Sequence, residues 1–190
     1  MKDKISPPTI FNARTIGAFF LLVFLAYGFG QYFFESKILA EQYLGATLII
    51  TNSVMVCFIG ILFKKTLDQY NLKVGTIYLY SRIFEAVVLA CTVLPLFGTI
   101  NISKDFFYFL AMLVLGPASI QMCLTLFKHK IIVPFFAIWG IVGYSIFSFG
   151  FLMELFGLHW SIYLLGLAGL WEITFGIWLI AKSFKKSKYL

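Results

Sequence analysis

The sequence predicts an all-α polytopic membrane protein, a bundle of six transmembrane helices with both termini in the cytoplasm. Three observations predict it. Of the 190 residues, 61% are hydrophobic and only 12% charged, and the mean hydropathy is +0.94. A soluble domain carries about 25% charged residues. Apolar windows of about 20 residues recur along the whole chain, the length that crosses a hydrocarbon core roughly 30 Å thick. The Lys and Arg residues behind the net charge of +7 gather at the ends of those windows. That placement is a topology signal and argues against a nucleic-acid-binding face. Residues 1–190 therefore read as a single transmembrane domain whose first partner is the lipid bilayer.

Met1 to Asn12 is short, polar and broken by Pro7-Pro8, and reads as a tail. The first span is expected at about 15–34, closing on Tyr32-Phe33-Phe34; it is too long for a signal-peptide core and lacks a small-x-small cleavage site. A loop with Glu35, Lys37 and Glu41 leads to the second span, about 44–63, which Lys64-Lys65 closes. The third span, about 74–97, carries Arg82 and Glu85, with Pro95 near its far end. Asn101 to Asp105 reads as a tight turn. The fourth span, about 106–127, is interrupted by Gly116-Pro117, where proline frees a backbone carbonyl and kinks the axis. Pro134 opens the fifth span, about 135–156, and the sixth runs about 162–181 into a basic tail.

Orientation follows from the basic residues. Twelve of the fifteen Lys and Arg fall on one side: Lys2, Lys4 and Arg14, then Lys64, Lys65 and Lys73, then Lys128 and Lys130, then Lys182, Lys185, Lys186 and Lys188. The other side holds Lys37 and Lys104, and Arg82 lies within the membrane. The positive-inside rule puts the rich side, with both termini, in the cytoplasm.

The intramembrane charges are the candidate site. At about 1.5 Å per residue, Glu85 lies roughly 16 Å from one end of its helix and Glu172 roughly 15 Å from the opposite end of its own, so both carboxylates share a depth near the midplane. Arg82 is one turn from Glu85 on the same face. Gly75, Tyr78, Ser81 and Thr92 extend that face into a polar stripe expected to point into the bundle. Each ion costs about 2.5–3.5 kcal/mol at a helix centre, so partners are required. The guanidinium holds one glutamate ionised; the second either shares it or takes up a proton. Asn52 and Gln121 are candidates to line a cavity beside this group, or to make interhelical hydrogen bonds.

Other signals are structural. Cys57, Cys91 and Cys123 lie inside apolar segments with no Cys-x-x-Cys spacing and read as reduced packing residues. His129 and His159 fall at opposite membrane faces, so no metal or haem site and no other cofactor is expected. Gly140, Gly143, Phe147, Gly150 and Glu154 recur at helical spacing, the glycines for close packing and Glu154 near water. Trp139 and Trp171 are deep and read as packing, Trp171 beside Glu172. Residues 82–89 loosely echo residues 169–176, as an inverted repeat would produce. Little more than one Glu among apolar neighbours is shared, and we read the echo as coincidence. No metalloprotease, nucleophile-elbow or P-loop motif appears, and the carboxylates have no nucleophile or metal set beside them, so a non-enzyme is expected.

The Arg82-x-x-Glu85 span, Pro134, Gly140-Ile-Val-Gly143 and Leu170-Trp-Glu172-Ile-Thr-Phe-Gly-Ile-Trp178-Leu179 occur in a succession that resembles the bacterial membrane family named domain of unknown function 4386. The likeness spans about Ala13 to Lys182, although this chain is shorter than many members between the third and fourth spans. The resemblance implies a multi-pass bacterial inner-membrane protein with Arg82, Glu85 and Glu172 at family positions, and implies no activity. Two functions follow from the residues. The leading one is binding or transport of a small solute, ion or lipid group at the Arg82/Glu85/Glu172 site, with proton coupling through a glutamate. The alternative is an accessory or structural membrane protein in which the same three residues brace one helix to another.

Overall fold

The computed structural model describes residues 10–98 and 104–184. Among them the chain forms six long helices and no strand: α1 (Ile10–Phe34), α2 (Leu39–Leu67), α3 (Leu72–Cys91), α4 (Lys104–Lys128), α5 (Pro134–Glu154) and α6 (Ser161–Lys182). All six are long and apolar enough to cross a membrane. The expected residues 1–9 of the leading tail, Asn101–Ser103 of the third turn, and Lys185, Lys186 and Lys188 lie outside the described residues.

The helix ends follow local chemistry. Asn71 caps α3, its side chain accepting from the Val74 N–H at 3.2 Å. Glu41 stands in the first turn of α2, and Lys64 and Lys65 in its last, each sign opposing the helix dipole. Glu41 therefore belongs to the helix and not to the expected loop, and α2 is longer than the apolar run alone suggests. At the end of α4, Lys130 takes a positive φ of 54° while the Ile131 N–H reaches back to the Leu126 carbonyl. Gly157, at φ 76°, does the same after α5, with Leu158 bonded to Met153. Pro134, whose missing N–H costs nothing there, begins α5.

One proline expectation is corrected, that for Pro117, while Pro95 lies near the far end of the third span as expected. The α-helical part of the third span stops at Cys91, and a short 3-10 turn, Leu94–Phe97, completes it. Pro95 accounts for this: its ring would clash with the carbonyl four residues back, which is that of Cys91. Pro117, by contrast, does not interrupt α4, which runs through it. Gly116 beside it matters for packing, because a Cβ there would strike the Ser148 hydroxyl of α5.

Each helix packs on the next, and α6 returns to α1, so the six close into a ring. Glycines set the tightest seams. A Cβ on Gly17 would meet the Gly176 carbonyl of α6, and one on Gly45 would meet the backbone of Gly30 and Phe34 on α1. Close backbone approach through small residues is how membrane helices gain contact where lipid removes the hydrophobic drive. One end of the ring carries Lys64, Lys65, Lys128 and Lys182; the other carries Glu35, Asp105 and Glu154. Near the basic end, Phe20, Phe63, Tyr78, Trp171 and Phe175 are all fully buried in a continuous set of ring contacts.

Candidate functional site: a mid-membrane ionic cluster beside a central cavity

The inner face of α3 presents Gly75, Tyr78, Ser81, Arg82 and Glu85, all buried, as helical spacing requires. Gly60 on α2 makes room for the stem of Arg82: a Cβ there would press on the arginine Cβ. Arg82 is only 3% exposed, and each of its three nitrogens donates to a side chain. Nε donates to the Tyr78 hydroxyl at 2.9 Å, Nη1 to Glu85 Oε2 at 2.9 Å, and Nη2 to Glu172 Oε1 at 3.5 Å. The guanidinium also lies 5.2 Å from the Tyr78 ring centre and 5.8 Å from that of Phe20, within cation–π range.

Glu172 is thus held from two helices. Beyond the long contact to Arg82, its Oε1 accepts from the Tyr144 hydroxyl of α5 at 2.5 Å. The neighbouring Trp171 is fully buried, stacks on Phe175 at 4.5 Å, and donates its indole N–H to the Phe136 carbonyl at 2.6 Å. That bond fixes the rotation of α6 and so aims Glu172 inward. Gly140 lets the indole in, since a Cβ there would run into the ring.

Beside the cluster lies a cavity of about 330 Å³ to which all six helices contribute. Arg82, Glu85, Tyr144 and Glu172 form its polar wall, and Val56, Leu89, Met112 and Phe147 are among its apolar lining. Asn52 of α2 also lines it. This side chain is 2% exposed, and its amide makes no hydrogen bond to any described residue. Its amide atoms open onto the cavity, where they can donate to and accept from an occupant.

The sequence-derived candidates therefore divide. Arg82, Glu85, Glu172 and Tyr78 are in direct contact, and Asn52 joins them across the cavity. Gln121 does not: it is exposed on the outer face of α4. The reason is register, since Val114, Pro117, Gln121, Leu124 and Lys128 follow one another at three- and four-residue steps and all face outward. Tyr144 is the residue sequence reasoning missed. A signal was present, because Tyr144 falls one turn after Gly140 and one residue after Gly143, on the glycine-marked face of α5. Glu154, expected near water, is part-exposed and also accepts from the Ser161 hydroxyl at 2.6 Å and from its backbone N–H at 3.3 Å, at the first residue of α6. His159 lies 2.8 Å from the same carboxylate.

A closed ring of six apolar helices around a buried arginine and two glutamates defines an integral membrane protein. No family model matches the chain, and no curated protein or solved structure matches it either.

Proposed function

We propose that this protein binds, and moves across the membrane, a small solute held at the Arg82/Glu85/Glu172 cluster. On this reading it is a non-catalytic, multi-pass protein of the bacterial inner membrane with both termini cytoplasmic, in keeping with its resemblance to the domain of unknown function 4386 family. One observation carries the reading: the ionic cluster borders a cavity walled by all six helices, with the unpartnered amide of Asn52 on its wall. Intramembrane ionisable groups facing a cavity mark solute or ion pathways, and about 330 Å³ is within the size range of small-molecule sites.

A brace is the second reading, and Arg82 favours it, because its three nitrogens are all paired inside the protein. The two roles differ in what they require of the cavity: a brace needs none. The test is a thermal-shift screen of the purified protein in detergent against small cations, anions and neutral solutes. Wild type is compared with Val56→Phe and Leu89→Phe, which fill the cavity without touching an ionic partner. A ligand present at a hundred times its dissociation constant adds about 2.7 kcal/mol of stability. The expected result is a solute that raises the melting temperature of wild type and not of the two filled variants, with all three monodisperse. Equal responses in all three, or none in any, would leave only the brace.

A further inference from the structure

The residual chemistry of the central cavity points to a class of ligand. Two carboxylates face one guanidinium, which leaves one negative charge in excess when both are ionised. The excess has a place: Glu85 Oε1 and Glu172 Oε2 accept no hydrogen bond from any described residue, since the three bonds to these side chains all go to Glu85 Oε2 and Glu172 Oε1. An anion finds no such opening. Arg82 is 3% exposed, its nitrogens have acceptors, and the Tyr78 and Phe20 rings lie against it. A bare metal cation fits poorly as well, because hard cations gather about six or more oxygens, and most of this lining is hydrocarbon. An ammonium group carried on an apolar body meets both demands. Its charge faces the spare carboxylate oxygens, and its body lies against Phe24, Phe147 and Met112.

The approach to the cavity has the same sign. A second cavity of about 420 Å³ lies toward the acidic end and shares Tyr27, Tyr108 and Leu165 with the first. Tyr27 and Tyr108 stack face to face, 5.7 Å between centres and 22° between planes, so the pair forms the partition between the two spaces. Glu35, Asp105 and Glu154 line the outer space, and among the described residues that line it there is no Lys, Arg or His. A one-signed lining concentrates ions of the opposite charge. Toward the basic end, the buried rings of Phe20, Phe63, Tyr78, Trp171 and Phe175 close the route.

Taking the central cavity as a binding site, we infer that its ligand is a small organic cation that reaches Glu85 and Glu172 from the acidic end, past the Tyr27–Tyr108 pair. The test is equilibrium and stopped-flow binding to the full chain in detergent. Three probes of similar size but different charge are used: benzyltrimethylammonium, benzyl alcohol and benzenesulfonate, with sodium chloride at matched ionic strength as a fourth arm. The expected result is saturable binding of benzyltrimethylammonium alone, lost in Val56→Phe. Glu172→Gln weakens it at least tenfold. Asn52→Asp, which adds a second excess carboxylate and leaves the ionic cluster intact, tightens it. Tyr27→Ala speeds association several-fold and keeps the preference for the cation. Equal binding of the alcohol or the sulfonate overturns the cation class while leaving the cavity reading standing, as does displacement of the probe by sodium at equal concentration. An unchanged association rate in Tyr27→Ala overturns the route. Cation binding that survives Val56→Phe lies outside the cavity and overturns both readings, and so does the failure of every probe to bind.

Discussion

Tyr144→Phe isolates the bond that holds α6 to the ionic cluster. The substitution removes one hydroxyl and keeps the ring, which packs edge-on against Trp171 at 5.4 Å and against Phe147 at 6.1 Å. Packing loss is therefore minimal, and the effect reports the 2.5 Å bond to Glu172 Oε1. Two scales bound its size. A hydrogen bond to a charged group contributes about 1.5–3 kcal/mol in soluble proteins. Interhelical bonds measured in membranes average about 0.6 and reach about 1.7 kcal/mol, because the unfolded chain in lipid finds other partners. A short, charge-assisted bond to a carboxylate belongs near the top of the membrane range, so we predict a coupling of about 1.5 kcal/mol. The assay is a double-mutant cycle with Glu172→Gln, by reversible denaturant unfolding in mixed micelles followed by tryptophan fluorescence. Sites without interaction add to within about 0.5 kcal/mol. A coupling below that value would refute the reasoning and return the anchoring of Glu172 to Arg82, whose 3.5 Å contact is at the outer limit for a hydrogen bond.

Four further outcomes are expected from the same unfolding measurement. Gly45→Ala destabilises by about 1–3 kcal/mol, because its methyl meets the α1 backbone, which cannot give way as a side chain end can. Gly166→Ala, with open space around the added methyl, instead gains up to about 1 kcal/mol of helix propensity; equal signs for the two would refute the seam. Trp171→Phe loses the bond to the Phe136 carbonyl and part of a fully buried ring, costing about 2 kcal/mol or more. Gln121→Leu leaves stability unchanged or higher; a loss above about 1 kcal/mol would show that this outward amide is engaged.

The six helices were legible because a bilayer imposes a coarse demand, about 20 apolar residues per crossing, that each segment meets alone. The pairing of Arg82 with Glu85 was legible for a similar reason, since spacing within one helix determines which side chains meet. Depth brought Glu172 to the same level. Tyr144 was not legible in that way. Its partner is 28 residues distant on another helix, and the contact depends on how α5 and α6 are rotated, which Gly140 and the Trp171 bond decide. Gln121 fails for the complementary reason: an amide in an apolar run suggests an inward face, whereas the buried positions on either side of it place it outward. The end of α3 at Cys91 turned on a local clash, and Pro95 announced it four residues ahead.

Closure of the ring has a consequence for how the protein is made. The seam between Gly17 and Gly176 joins the first helix to the last, so it forms only after the whole chain has entered the bilayer. Until then the first five helices make an open arc. Glu172 is absent, Tyr144 has no acceptor, and the wall that shields Arg82 lacks one stave. A chain that stalls before α6 would leave Arg82 with only the partners on its own helix, Tyr78 and Glu85, and one side of the charge uncovered. The same residue that anchors the finished site thus marks an unfinished molecule, and a proofreading protease in the membrane would have a charge to recognise.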